Sequence, residues 1–253
     1  MSAGQTIGVD VGGTKVSTAS LRDGKMTEPR VVATEKSSSD ALVAQLVTKI
    51  EAEREDDAVA VGIGVPAAVE FATGTAKSGV NVPLVGVALR ELLTERVGLP
   101  VFVDNDANVA ALAEAHDGGR LVTEHLVMIT VGTGIGGGLV LGGRVYRGAT
   151  GAGAELGHGL IGVALDDDVP PAQARFPQRG SLEALAAGTA LDRLAQASAR
   201  EHPDSPLARV QAARGNVLGP DVVAAARDGD PESLRLFELL GGRLGIGIAS
   251  IIN

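Results

Sequence analysis

The apolar run Ile7-Gly8-Val9 leads directly into Asp10-Val11-Gly12-Gly13-Thr14-Lys15, so a strand must end in an acid, a glycine pair, a hydroxyl and an ammonium. Such a strand end suits an anionic phosphate. Glycines without Cβ let backbone N–H groups close on its oxygens, Thr14 adds a hydroxyl and Lys15 a point charge. Asp10 can hold Mg2+ or the waters around it. By itself the glycine pair would be ordinary hairpin punctuation. A second segment repeats the arrangement. Leu126-Val127-Met128-Ile129-Thr130-Val131 reads as a buried strand, followed by Gly132-Thr133-Gly134-Ile135-Gly136-Gly137-Gly138 and a returning strand Leu139-Val140-Leu141. Tight turns close both copies, Arg22-Asp23-Gly24-Lys25 in the first and Gly142-Gly143-Arg144 in the second. The repeat predicts two similar domains facing each other, each offering one glycine-rich hairpin to a shared polyphosphate.

Length agrees with two domains, since 253 residues lie near the point where a single core stops growing. Hydrophobic residues make up 45% of the chain but aromatics only 2%, so cores must be built from Val, Leu, Ile and Ala. Scarce stacking platforms and a formal charge of −9 argue against nucleic acid and anionic membranes as partners. The chain has no cysteine, which excludes disulfides and leaves the compartment unread by redox chemistry. The amino terminus enters a strand without a secretory n-region and h-region, so a cytoplasmic location is expected. The uncharged stretch Leu126 to Gly143 is nearly long enough to span a bilayer, but seven of its residues are glycine, which favours strand-loop-strand.

The amino-terminal half alternates: strands near 5–11, 15–21 and 30–34, a helix near 39–54, a strand near 58–65, a helix near 86–97 and a strand at Pro100-Val101-Phe102-Val103. This pattern predicts an α/β fold with a mixed sheet. Asp104-Asn105-Asp106-Ala107-Asn108 then separates that last strand from the helical run Val109 to Ala115. Open α/β sheets place ligands at such strand ends. Asn105 or Asp106 serving only as a helix cap is the competing explanation. Gly62-Ile63-Gly64 lacks the third glycine of a dinucleotide fingerprint, and no nucleophile elbow accompanies a Ser/His/Asp set. His116, His125 and His202 share no motif with a candidate acid or nucleophile.

Together with Gly148-Ala149-Thr150-Gly151-Ala152-Gly153-Ala154-Glu155-Leu156-Gly157-His158 and Ser181-Leu182-Glu183-Ala184-Leu185-Ala186-Ala187-Gly188, these motifs resemble, in order and from the first strand to the last residue, the ROK family of bacterial sugar kinases and repressors. The resemblance implies two actin/hexokinase-like (ribonuclease H-like) α/β domains with a cleft between them. The boundary is expected at 104/105, giving a phosphate-binding domain over 1–104 and a sugar- and nucleotide-binding domain over 105–253. Asp106 matches the general base that takes the proton of the attacking sugar hydroxyl. Asn81, Asn105, Glu155, His158 and Glu183 match sugar contacts. Asp10, Gly12, Gly13, Thr14, Lys15, Thr133 and Gly134 match the phosphate and Mg2+ side. The implied substrates are ATP and a hexose, with glucose first, and the implied assembly is a homo-oligomer, a dimer or tetramer.

Three departures from the family pattern bear on function. His158 normally joins three cysteines in a structural zinc site, and those positions hold Ala174, Phe176 and Ser181, so no structural zinc is expected. Phe176 and Leu182 should hold the segment by packing instead, and Asp166, Asp167 and Asp168 read as a solvated loop rather than a metal site. Pro66-Ala67 stands where the family has Pro-Gly near the sugar; the extra methyl either narrows the pocket or is absorbed by the loop. The family also continues past the helix Leu234 to Ile252 into a strand and glycine cluster that hold adenosine, whereas this chain stops at Asn253. A second domain incomplete at its carboxyl end is therefore expected, with sugar bound better than ATP. The expected function is ATP-dependent phosphorylation of a hexose, glucose to glucose 6-phosphate; the alternative is a catalytically weak sugar-binding or regulatory protein.

Overall fold

A computed structural model describes residues 4–79, 81–162 and 177–252. The chain divides into two compact units, Met1–Met128 with Gly138–Ala154 and Ile129–Gly137 with Glu155–Asn253. The junction at 104–105, where the sequence reading placed its boundary, lies inside the first unit. Ala174, Phe176 and Asp166 to Asp168 lie outside the described residues.

The first unit is built on β1 (Gln5–Val11), β2 (Lys15–Arg22), β3 (Lys25–Met26), β4 (Arg30–Ala33), α1 (Ser39–Glu53), β5 (Ala58–Val65), β6 (Val69–Glu70), β7 (Thr75–Ala76), α2 (Leu89–Val97), β8 (Val101–Asn105), α3 (Asp106–Glu114), β9 (His116–Asp117) and β10 (Arg120–Leu121). Its central sheet has the order β3-β2-β1-β5-β8, with β4 against β2; β1, β5 and β8 run parallel and the β1–β2 pair antiparallel. The alternation of β1 buries Ile7, Val9 and Val11 on one face, where they meet Val61, Ile63, Val101 and Val103 from the neighbouring strands. Helix α1 covers this face because Leu42, Val43, Leu46 and Ile50 recur at helical spacing and are buried. Its start is fixed by Ser38, whose hydroxyl accepts from the Ala41 N–H at 3.1 Å. Helix α2 contributes Leu89, Leu93 and Val97 to the same core and ends at Gly98 with φ 67°. It begins three residues later than the sequence suggested, because Ala88 bridges Thr75 and the Val87 carbonyl accepts from Ala76. Gly8, Gly62, Leu21, Met26 and Phe102 are exposed on the other face of the sheet, which α3 approaches at Gly64.

A second meander follows: β11 (Leu126–Val131), β12 (Ile135–Leu141) and β13 (Arg144–Val145), in that order in a three-stranded sheet. It mirrors β1-β2-β3. The second turn of each copy carries two successive positive φ angles, Asp23 at 49° and Gly24 at 73°, then Gly142 at 58° and Gly143 at 72°. That is the primed hairpin geometry that matches the right-handed twist of strands. The second glycine segment is not all loop, as Ile135 to Gly138 belong to β12. Gly138 lies so close to α3 that a Cβ would stand 2.5 Å from Ala111 Cβ and 2.6 Å from the Ala107 carbonyl oxygen.

The second unit continues through a 3-10 turn (Leu156–His158) and helices α4 (Leu182–Ala186), α5 (Gly188–Glu201), α6 (Pro206–Arg214), α7 (Gly219–Arg227) and α8 (Pro231–Ile252). Two adjoining apolar clusters hold it, one of Leu191, Leu207, Val217, Val222 and Leu236, the other of Ile135, Leu182, Ala186, Ala190 and Leu240. Helix α8 starts earlier than Leu234 because the Asp230 carboxylate accepts from the Ser233 N–H at 2.9 Å and Pro231 is preset for a first turn. Leu234, Ile246, Ile248 and Ile252 of α8 are exposed. Among the described residues, no helix is long and apolar enough to cross a membrane.

Candidate active site

The candidate residues fall into two sets, one in each unit. In the first, three parallel strands end side by side: Asp10 on β1 pairs with Gly64 on β5, Gly64 pairs with Asp104 on β8, and Val65 pairs with Asn105. The turn after β1 is closed by the Gly12 N–H donating to the Lys15 carbonyl at 2.8 Å, while Thr34 donates its hydroxyl to the Gly12 carbonyl at 2.7 Å. Thr14 and Lys15 are exposed at its tip. Asp10 keeps solvent contact, yet the protein packed around its carboxyl raises the pKa above the ordinary 3.8, an effect that the Lys15 ammonium opposes.

Glycine at 13 has a specific purpose. A Cβ there would stand 2.9 Å from Asn81 Cβ, and Asn81 itself adopts φ 74°, so the β1–β2 turn and the Asn81 loop touch. A Cβ on Gly79 would reach Ala67 Cβ at 3.5 Å, and Asn105 Nδ2 donates to the Ala67 carbonyl at 3.4 Å. The methyl that distinguishes Pro66-Ala67 is 5% exposed and belongs to the apolar core, so it is absorbed rather than presented.

Of the two explanations for Asp104 to Asn108, capping is observed. Asn105 is the N-cap of α3, its Oδ1 accepting from the Asn108 N–H at 3.1 Å. Capping moves the helix start forward to Asp106, three residues before Val109. Asp106 occupies the first turn and accepts from the Ala107 N–H at 2.8 Å, at the end of a helix dipole where an anion is favoured. Gly64 lets this turn approach β5: a Cβ would lie 3.3 Å from Asp106 Cα.

The second set gathers around Ile135, which had no signal in the sequence. Glu183 accepts from the Ile135 N–H at 2.7 Å through Oε2, and a Cβ on Gly134 would meet that same oxygen at 2.5 Å. Glu183 thus clamps the loop of Thr133 and Gly134 from the α4 side. The loop is pinned again by Gly188 N–H donating to the Gly132 carbonyl at 2.8 Å. Gly157, in the middle of the turn that carries Glu155 and His158, faces the Ile135 carbonyl so closely that a Cβ would be 2.2 Å from its oxygen. Glu155 Oε2 and His158 Nε2 stand 3.7 Å apart. Thr133, Gly134, Glu155, His158 and Glu183 therefore share one neighbourhood. Ser181, at a would-be zinc ligand position, is fully buried and accepts from the Ala184 N–H at 3.2 Å to cap α4. Leu182 beside it is buried in the Ile135 cluster.

No three His, Cys, Asp or Glu among the described residues converge as a metal cage. The Asp10 carboxylate is a hard oxygen donor of the kind that Mg2+ takes, a cation that usually binds one or two carboxylates and fills its remaining positions with waters and substrate phosphates.

The mixed α/β architecture and the repeated glycine hairpin define the class of actin/hexokinase-like proteins, and comparison with known proteins narrows it. Residues 6–253 match the ROK family, and the chain belongs to that family. It is 33% identical over 255 residues to a glucokinase of Halalkalibacterium halodurans, covering 98% of this chain and 76% of that protein. A ROK glucokinase from Streptomyces griseus, solved with glucose and AMPPNP, is 31% identical with a TM-score of 0.77, over 98% of this chain and 79% of that one. A ROK family transcriptional regulator, a homologue of the E. coli MLC protein, is 28% identical with a TM-score of 0.81, over 98% of this chain and 62% of that one.

Proposed function

We propose that this chain is an ATP-dependent sugar kinase acting on a hexose, with glucose as first substrate and its 6-hydroxyl as nucleophile. The observation that carries this reading is the placement of Asp106 in the first turn of α3, directly after β8, with only β5 between that strand and Asp10 at the end of β1. A hydroxyl is a poor nucleophile until a base accepts its proton, and phosphoryl transfer otherwise depends on positioning and charge neutralisation. In the proposed step the hydroxyl O–H proton passes to the Asp106 carboxylate. The sugar oxygen bonds to the γ-phosphorus as the bond from that phosphorus to the bridging oxygen breaks, and ADP leaves with the bridging oxygen.

Asn81, Asn105, Glu155, His158 and Glu183 are assigned to the remaining sugar hydroxyls. Carboxylates and amides suit this task because each can bind adjacent hydroxyls with direction. Glu183 would serve the sugar with Oε1 while Oε2 stays on the Ile135 N–H. Gly12, Gly13, Thr14, Lys15, Thr133 and Gly134 are assigned to the phosphates, and Asp10 to Mg2+, directly or through water. When bound, that ion would neutralise phosphate charge.

Coupled measurement of ADP release with glucose, N-acetylglucosamine and no sugar tests the reading. Sugar-dependent release supports it. The likeness to a ROK transcriptional regulator favours a second reading, a sugar-binding protein without turnover; calorimetric sugar binding with no ADP release would select it.

A further inference from the structure

We infer that Asp104 and Arg147, with Phe71 beneath the guanidinium, form the positioning clamp for the Asp106 turn, an inference that rests on the kinase reading. Asp104 is 7% exposed, and each of its oxygens is committed. Oδ2 accepts from Arg147 Nε at 2.8 Å and Nη2 at 2.7 Å. Oδ1 accepts from the Asn105 N–H at 2.8 Å and from Asn108 Nδ2 at 3.3 Å. The buried carboxylate therefore holds the backbone immediately before Asp106 and the side chain two residues after it. Asn108 is itself buried, so that the first turn of α3 is gripped from both ends by one anion.

The cation side is equally fixed. The Arg147 guanidinium carbon lies over the Phe71 ring, 3.6 Å from its centre, a contact in which the broad guanidinium is not matched by a lysine ammonium. Phe71 is held in turn by Arg90, whose Nη2 donates to its carbonyl at 2.6 Å and whose Nη1 donates to the Ala72 carbonyl at 3.0 Å. The Arg147 carbonyl accepts from the Gly153 N–H at 2.9 Å, closing the loop of Gly148 to Gly153 on itself. One ion pair thus ties the end of β8 to the root of that loop. Neither Asp104 nor Arg147 is assigned a contact with substrate; both act through Asn105 and Asp106.

Removing Arg147 alone strands a buried anion, which threatens folding. The test therefore uses R147K, which keeps the charge and loses the guanidinium contact and the fork, and the double variant D104N/R147M, which removes both charges. R30M serves as control, since Arg30 pairs with the buried Glu53 at 3.1 Å away from the candidate site. The clamp predicts that R147K and D104N/R147M lower kcat by about 10- to 100-fold, as expected for a shift of the base by a fraction of an ångström to 1 Å. KM for ATP should stay at the parental value, because the β1–β2 turn is untouched. Amide hydrogen exchange should quicken at Asn105 to Asn108 and stay unchanged in β1 and β5, a readout independent of turnover. R30M should lower the melting temperature without lowering kcat. Parental exchange at Asn105 to Asn108 in both variants would overturn the clamp whatever the kinetics, and so would parental kcat in an active enzyme. A parent that releases no ADP with any hexose would instead sink the kinase reading and leave the exchange experiment to decide the clamp.

Discussion

Replacing Gly157 by alanine tests the packing that brings Glu155, His158 and Glu183 into one neighbourhood. The new methyl would lie 2.2 Å from the Ile135 carbonyl oxygen and 3.1 Å from Ile135 Cβ. Carbon and oxygen in ordinary contact stand about 3.3 Å apart, so roughly 1 Å of movement is required. The opposing atom is backbone at the start of β12 and has no rotamer to escape into. Ile135 is also 4% exposed and packs with Leu182 and Leu240, so the displacement presses on the cluster behind it. Overpacking of this kind costs about 1–3 kcal/mol. For a chain of this length each kcal/mol lowers Tm by about 2–4 °C, giving a drop of about 2–12 °C. The same shift would move Glu155 and His158 away from Thr133 and Gly134, and a misplacement of about 1 Å can reduce function by about 100-fold. Circular dichroism melting and calorimetric titration with glucose, run on parent and G157A, read both effects. An unchanged Tm with unchanged glucose affinity would refute the close approach of Gly157 to Ile135.

Glu183→Ala leaves the Ile135 N–H without its acceptor and should cost about 1–3 kcal/mol in urea unfolding, while E183Q, which keeps an acceptor oxygen, should stay near the parent; a larger loss in E183Q than in E183A would contradict the clamp on the loop. Ser181→Ala removes the N-cap of α4 and should cost about 1 kcal/mol, and chelator should leave the parental Tm unchanged, because Ser181 and Leu182 hold this segment by capping and packing; a chelator-sensitive Tm would restore a metal to it. Asp10→Asn should stabilise the protein at neutral pH, since a folded pKa above 3.8 means that ionising Asp10 costs folding free energy. The gain should vanish as pH falls through that raised pKa and below 3.8, where the carboxyl is neutral in both states; a variant less stable than the parent at pH 7 would reverse the sign of the argument.

The hairpins were legible because glycine, acid and hydroxyl at strand ends constrain the backbone locally: β1, β2, β5 and β11 run close to where the sequence placed them, and both turns after β2 and β12 are tight. The family motifs located the candidate residues one by one. What the sequence could not convey was their tertiary use. Gly138 reads as loop, yet it is a strand residue whose missing side chain admits α3. Ile135 reads as an apolar spacer, yet its N–H and carbonyl organise Glu183 and Gly157. Asp104 and Arg147 are 43 positions apart and carry no shared spacing, so their pairing over Phe71 emerges only once the strands are assembled. Asn105 had two competing explanations on sequence grounds, and the hydrogen bond from the Asn108 N–H shows that it caps α3.

Steady-state ADP release with glucose for the parent and for Asp106→Asn, alongside calorimetric glucose titration of both, tests whether Asp106 is the base. The amide keeps the size of the side chain and can still accept from the Ala107 N–H, but it cannot take up a proton from the sugar. Loss of a general base typically costs about 10²–10⁴ in rate, so kcat should fall by that factor with glucose affinity largely retained. Equal turnover by D106N and the parent would remove Asp106 from the chemistry and leave it a residue in the first turn of α3.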